Sequence, residues 1–228
     1  SLSTQASDFY DLTNSPHVGR SQRYLLDVVT ESELRSLLEK RELTLRQRFE
    51  SIFEKMVATR ELLGRIEIGA YESMPQQEAI RAIQRDRLRV GGCGQNAAQL
   101  SHETLSVAEG FEGIVTELVN NRIDTEELKE RLSTNIAEPL RKIGEDLLPG
   151  FEETSKLLEA AYVENLEKTG TRQELYRRAI LESEEIVDAM QRVLDRMLEL
   201  ESYNELVALL RSIVGEQKQL QEQTKQQR

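Results

Sequence analysis

Few side chains in this sequence have a type and spacing suited to chemistry. There are two histidines, His17 and His102, and one cysteine, Cys93. A two-metal centre in a helical bundle needs Glu-x-x-His on two helices plus two further glutamates. Position 99, three before His102, is a glutamine. The zincin pattern His-Glu-x-x-His also fails, because His102-Glu103 is followed by Thr104-Leu105-Ser106. His102 therefore reads as a partly exposed helical histidine among small residues, and no metal is expected. A lone cysteine excludes an intramolecular disulfide, and a thiolate zinc site takes several cysteines. As a nucleophile Cys93 would need a base. On a continuous helix His102 lies half a turn round from it and over ~13 Å along the axis, out of reach.

Gly91-Gly92-Cys93-Gly94 suggests a phosphate loop, but that loop sits between a strand and a helix and closes with Lys and Ser or Thr. Neither residue follows here, and helix-like sequence precedes. The densest basic stretch is Arg81, Arg85, Arg87 and Arg89. Arg81, Arg85 and Arg89 share one helix face at steps of four. An anion or acidic-partner site is one reading of them. Pairing with the acidic residues of 124–167, plus solvation, is the favoured one. The carboxylate pairs Glu126/Glu127, Glu152/Glu153 and Glu184/Glu185 fall at helix starts or on exposed faces. Acid–base catalysis needs a pocket that gives two carboxyls different environments, and the pattern specifies none. No catalytic, cofactor-binding or metal-ligating residue is assigned, no cofactor is expected, and the chain reads as not an enzyme.

The elements that would have to position any site are helices. Of 228 residues, 38% are hydrophobic and 31% charged, with 4 Pro and no Trp. This is poor in the aromatic and turn residues of a β-sandwich or barrel. Yet Leu, Ile and Val recur periodically, which argues against disorder. The net charge is −11, which disfavours nucleic acid and anionic membrane surfaces as partners. The charge is uneven: residues 101–170 carry −9, against +1 for 31–90 and −2 for 171–228. An acidic middle could steer a basic partner, though a solvated face is the favoured reading. No apolar run approaches the roughly 20 residues that span a bilayer, so direct membrane insertion is not expected. The chain starts at Ser1 without a signal-peptide pattern, which reads as an excised fragment or processed product, with any anchor outside it.

Residues 1–30 read as an irregular or extended lead-in, with Pro16 and Gly19 as breakers. Within it, 24–29 is a β-favouring run, either an arm lying on helices or, as favoured here, the end of an upstream β domain. Thr30 and Glu33 fit a capping box. Behind it Leu38, Leu45, Phe49, Ile52, Met56, Leu63 and Ile66 form a heptad seam with polar skips at Glu42 and Thr59, predicting a helix over 31–67. A second helix is predicted over 76–121, on the seam Ile80, Ile83, Arg87, Val90, Gly94, Ala97, Ser101, Thr104, Ala108, Phe111, Val115 and Leu118. Its phase survives the glycine cluster, which favours one helix with a weak point. Small residues from Gly94 to Ala108 would let a neighbouring helix approach closely.

Asp124 opens the next cap, with Glu127 at its third helical position. The stripe Leu128, Leu132, Ile136, Leu140, Ile143 and Leu147 follows. Pro139 predicts a kink or restart over 135–138, and Pro149-Gly150 should end the segment. Phe151, Ser155, Leu158, Tyr162 and Leu166 predict a short helix, closed by Thr169-Gly170. A capping box over 171–174 then starts the last pattern, through Tyr176, Ile180, Val187, Met190, Leu194 and Met197 to Val207, Leu210 and Val214. Residues 202–205 either cap a new helix or lie within one rod. The expected helical domain is 31–216, with a polar tail over 217–228. The whole reads as all-α: an elongated bundle of long antiparallel helices with coiled-coil-like packing, preceded by a short extended N-terminal arm.

The passage Gln22-Arg23-Tyr24-Leu25-Leu26-Asp27-Val28-Val29 into Thr30-Glu31-Ser32-Glu33-Leu34 resembles segments of large planctomycete-type cell-envelope proteins. So does Met197-Leu198-Glu199-Leu200-Glu201-Ser202-Tyr203-Asn204-Glu205-Leu206-Val207-Ala208-Leu209-Leu210-Arg211. In that family an export signal or membrane helix and β-sandwich-like domains precede long Glu/Arg/Gln-rich helices. The resemblance implies an exported or periplasmic location and no site residues. The function expected is a non-catalytic structural or protein-interaction segment of a larger cell-envelope protein, bound to a protein partner or to itself. The alternative is a helical sensor or signal-transmitting domain that binds a ligand between helices, at the small seam.

Overall fold

The computed structural model describes residues 3–7, 18–23, 28–66, 68, 70–163 and 169–226. In the last helix, side chains are described as far as residue 199, and again at 213, 214 and 217. The chain divides into two compact units, residues 1–38 and 39–228.

In the first unit, β1 (Gln5–Ser7) pairs antiparallel with β2 (Val18–Arg20), and Gln5 lies opposite Arg20. Part of the expected irregular lead-in is therefore a small sheet. Gly19, expected to break structure, sits in the ladder opposite Ala6. Of the predicted β run, 24–27 lies outside the described residues, while Val28 and Val29 belong to no strand. The capping box forms as predicted at the start of α1 (Glu31–Gly64). The Glu33 amide donates to Thr30 Oγ1 at 3.3 Å, and the Thr30 amide donates back to Glu33 Oε2 at 2.8 Å. The Thr30 hydroxyl also donates to Glu33 Oε2 at 2.8 Å, and the two bonds to the carboxylate hold the Glu33 carboxyl below its usual range, with the Thr30 amide as the larger cause.

The second unit is an all-α bundle. Its remaining helices are α2 (Gln76–Asn120), α3 (Glu126–Leu132), α4 (Glu138–Lys142), α5 (Leu148–Ala161) and α6 (Thr169–Gln226). Residues Phe49, Ile52, Met56 and Leu63 of α1 are buried, as the seam predicts. The polar skip Thr59 is buried as well. Its hydroxyl donates to the Lys55 carbonyl at 2.8 Å and accepts from Asn96 Nδ2 at 3.2 Å, which satisfies it. α1 ends at Gly64, three residues before the predicted limit. Exposed polar contacts link α1 to α2 in descending order. Arg41 pairs with Glu117, Arg48 Nη1 donates to Ser106 Oγ at 3.1 Å, and Lys55 pairs with Glu103 at 2.9 Å. The order makes the two helices antiparallel.

α2 runs unbroken through Gly91, Gly92 and Gly94, as the preserved phase predicts, and no described glycine has a positive φ. Its buried stripe is wider than the expected seam. Val90, Ala97, Thr104, Phe111 and Leu118 recur at seven, as predicted. So do Gly94, Ser101 and Ala108, also predicted; beside both rows lie Cys93, Leu100, Val107 and Ile114 at seven, which the expected seam lacks, whereas Val115, expected in it, is only half-buried. Three positions per heptad is the stripe of a helix facing a core rather than the two-position seam of a coiled coil. At the N-terminal end the expected positions are corrected. Ile80, Ile83 and Arg87 are not buried, whereas Ala79, Ala82 and Asp86 are.

From Glu126 to Ala161 the chain follows one helical path. The cap is Thr125 rather than Asp124: its hydroxyl accepts from the Leu128 amide at 3.2 Å. Two π-helical turns, Ser133–Ala137 and Ile143–Leu147, interrupt the α-helix. Each stands just before a proline, Pro139 and Pro149. A proline lacks an amide proton and clashes with the carbonyl four residues back. Those carbonyls belong to Asn135 and Glu145, inside the two π turns, where the wider i→i+5 ring makes room. This explains the irregularity predicted before Pro139. It also corrects the expected break at Pro149-Gly150, because the chain continues into α5 in right-handed helical geometry. Leu132, Ile136, Leu140 and Ile143 are buried along this path.

α6 begins at Thr169, so residues 171–174 lie inside it rather than capping it. It runs through Ser202 as one helix and past residue 216 to Gln226, so the expected polar tail is mostly helical backbone. Val187, Met190, Leu194 and Met197 are buried as predicted. Val207 and Leu210 lie outside the described side chains, and Val214 is exposed.

Candidate functional site

Among the described residues, the densest buried polar chemistry gathers around Asp86, on the stripe of α2. Asp86 is 1% exposed. Tyr71, in the 3₁₀ turn Ala70–Ser73, donates its hydroxyl to Asp86 Oδ2 at 2.7 Å. Arg89 Nη1 donates to Oδ1 at 2.8 Å, and Arg85 Nε lies 3.4 Å from the same oxygen. The Tyr71 hydroxyl is 3.4 Å from that of Tyr162, just after α5. Arg172 of α6 is buried, with its guanidinium carbon 5.7 Å from the centre of the Tyr162 ring. The cluster thus ties the α1–α2 connection to α2, to the end of α5 and to the start of α6.

This arrangement binds the protein to itself. The carboxylate takes charge-assisted bonds on both oxygens from its own chain. Burial pushes the Tyr71 phenol well above its ordinary value, and hydrogen bonds to Tyr162 and Asp86 add to the shift. Burial also raises Tyr162, against the opposing effect of its hydrogen bond to Tyr71, and raises Tyr176 beside Asp86. Phenols held protonated are donors and not nucleophiles.

The arginine stretch divides. Arg85 and Arg89 converge on Asp86, and Arg87 reaches Glu159 of α5 at 3.4 Å. The last contact is the predicted pairing with the acidic region. Arg81 is exposed. His102 is exposed on α2, and His17 lies outside the described residues. Among the described residues no group of three or more His, Cys, Asp or Glu side chains is placed to hold a metal ion. Glu126 and Glu127 are exposed in the first turn of α3, Glu152 pairs with Lys156, and Glu184 and Glu185 are exposed on α6. Of these residues, Glu185 of α6 alone lines a described groove, without Glu184.

Sequence reading missed Asp86, although a signal was present. Ala79, Asp86, Cys93, Leu100, Val107 and Ile114 fall at intervals of seven, so Asp86 shares a register with core residues.

Comparison with protein-family models, curated proteins and solved structures finds no match. The site therefore rests on its own geometry.

Cys93 is fully buried, and its thiol donates to the Thr59 carbonyl at 3.7 Å. Burial pushes it up to about 11 from an ordinary 9.0, which removes the thiolate a nucleophile needs. A raised value in the folded state means that the unfolded chain releases the proton first. The resulting stability is complete below the unfolded value and falls as pH rises above it. Unfolding free energy should therefore decline from about pH 9, at first through Cys93 and above pH 10 through Tyr71, Tyr162 and Tyr176 as well. At roughly 1.4 kcal/mol per unit, Cys93 alone accounts for on the order of 2–3 kcal/mol by pH 11. Urea titrations over pH 8–11 check this: Cys93→Ala should flatten the decline between pH 9 and 10, and an unchanged slope would refute the assignment.

Proposed function

We infer that this chain is a non-catalytic structural or protein-interaction helical bundle, acting as a segment of a larger cell-envelope protein. The observation that carries the reading is how the small seam of α2 is filled. Gly94, Ala97, Ser101, Thr104 and Ala108 are all buried. A Cβ on Gly94 would stand 3.3 Å from Ser155 Cβ, and Ser101 Oγ donates to the Gly144 carbonyl at 2.7 Å. A ligand sensor would need a concave pocket on that seam, and side chains of the neighbouring helical path take that space; the open cavity of about 400 Å³ between α1 and Asn96, Gln99 and Leu100 of α2 lies off the seam residues. The lone pairs of Asp86 and the thiol of Cys93 are engaged by the chain itself, which also supports a non-catalytic role. The envelope placement is supported by the resemblance of residues 22–34 and 197–211 alone.

Affinity capture of the protein from its native cells, combined with a thermal-shift screen of small molecules, tests the reading. The expected result is stoichiometric co-purification of a protein, or of a second copy, with no small-molecule stabilisation. A ligand at a hundred times its Kd adds about 2.7 kcal/mol, so a sensor would reveal itself as a shift of several degrees. Such a shift, or turnover of a substrate, would overturn the reading, and recovery in the cytosolic fraction would overturn the envelope placement.

A further inference from the structure

Positive charge gathers in a groove of this acidic chain. It opens where α6 faces the two π turns and carries Lys142, Arg192 and Arg196 against the carboxylate Glu185; a smaller adjoining depression, which shares Asn135 and Arg196 with it, adds Arg131 and Glu199. The lining is thus net positive by two, within a chain of net −11, although one wall belongs to the segment 101–170 that carries −9. Arg196 is partly neutralised by Glu199 at 2.8 Å, and Arg131 lies 3.7 Å from Glu127. Lys142 and Arg192 are exposed, and neither has an ion-pair partner among the described residues. The floor between the cations is apolar and includes Pro139, Leu147 and Val193. The backbone accounts for the opening, since a π turn widens the helix locally, and Asn135 and Ile143 from the two turns line the groove.

We propose that this groove docks an acidic segment of a protein partner, one that alternates carboxylates with aliphatic side chains. The proposal deepens the protein-interaction reading and rests on it. Charge complementarity selects the occupant: cations along two walls pair with carboxylates, and the apolar floor takes aliphatic groups. A nucleic acid would supply negative charge but no aliphatic side chains for the floor, and it would approach a chain of net −11 against a repulsive field. The other arginine stretch does not compete, because Arg85, Arg87 and Arg89 already hold carboxylates of their own chain.

The test uses a fluorescent synthetic peptide of alternating Glu and Leu, titrated against the 228-residue chain and followed by anisotropy. The expected result is saturable binding that weakens at least tenfold between low salt and about 0.5 M salt, as screening predicts. Lys142→Glu with Arg192→Glu should weaken binding at least tenfold, while Arg81→Glu, which reverses an exposed cation elsewhere, should leave it unchanged. Circular-dichroism melts establish that both variants fold. Equal binding by the double variant, equal loss with Arg81→Glu, or tighter binding of a Lys–Leu peptide would overturn the groove. Displacement of the peptide by millimolar inorganic phosphate alone would also overturn it, in favour of a small-anion site. Any of these outcomes would leave the broader reading standing if capture from cells still recovers a partner through another surface.

Discussion

Replacing Asp86 with alanine is expected to lower the stability of the bundle by about 3 kcal/mol. Removing one member of a buried, hydrogen-bonded charge pair costs roughly 3–5 kcal/mol, because the surviving groups are left without partners. Here the Tyr71 hydroxyl loses a 2.7 Å bond while staying buried, and Arg89 loses a 2.8 Å bond. Arg89 is 28% exposed and regains water, which puts the cost at the lower end of the range. In a domain of this size, 1 kcal/mol moves Tm by roughly 2–4 °C, so the melting point should fall by about 6–12 °C. Arg85→Ala provides the comparison. Its contact is 3.4 Å and its side chain is 59% exposed, so the change should stay within about 0.5 kcal/mol. An Asp86→Ala melt within 1–2 °C of the parent would mean that the cluster does not hold the helix ends together.

The asymmetry between those two residues also explains what was legible in the sequence. Helices were legible because their signals are local. Thr30 and Glu33 are three residues apart, and the α2 seam repeats every seven, so one continuous element through Gly91–Gly94 followed from phase alone. The buried face was less legible, because hydrophobicity ranked Ile80 above Asp86. Burial of Asp86 depends on donors from Tyr71, fifteen residues back, and from Arg89 on the same helix. Tyr162 completes the cluster from ninety-one residues beyond Tyr71. A periodic pattern records which side chains are apolar and not which polar ones find partners. Pro149 misled for a related reason. A proline ends a helix only if the carbonyl four residues back cannot move, and the π turn lets it move. The groove was illegible because its cations come from two segments some fifty residues apart, joined only by the antiparallel packing of α6.

Gly144→Ala should destabilise the bundle, whereas Gly92→Ala should stabilise it, although both glycines are helical. A Cβ on Gly144 would lie 2.7 Å from Leu105 Cγ, 2.8 Å from its Cδ2 and 3.3 Å from the Ser101 carbonyl oxygen. Rotation about χ2 leaves Leu105 Cγ in place, so relief requires a new χ1 rotamer for Leu105 or separation of the two helices. Separation also stretches the 2.7 Å bond from Ser101 Oγ to the Gly144 carbonyl. Overpacking of this kind costs about 1–3 kcal/mol, and the lost bond puts Gly144→Ala near the upper end. At Gly92 nothing stands within 4 Å of an added Cβ, so the change should gain roughly 0.5–1 kcal/mol through helix propensity. The neighbouring glycines fall between. An added Cβ on Gly91 meets only the movable carboxylate of Glu159, at 2.9 Å, and one on Gly94 meets Ser155 Cβ at 3.3 Å. Replacing Gly91, Gly92 and Gly94 together should therefore gain less than three helix propensities, because Gly94 lies on the contact with α5. Urea titrations of the four single variants check the order: Gly92→Ala most stable, then Gly91→Ala, Gly94→Ala and Gly144→Ala. If Gly144→Ala proved as stable as the parent, the close approach of α2 to the second π turn would not be a tight contact, and the filled seam that supports a structural role would lose its basis.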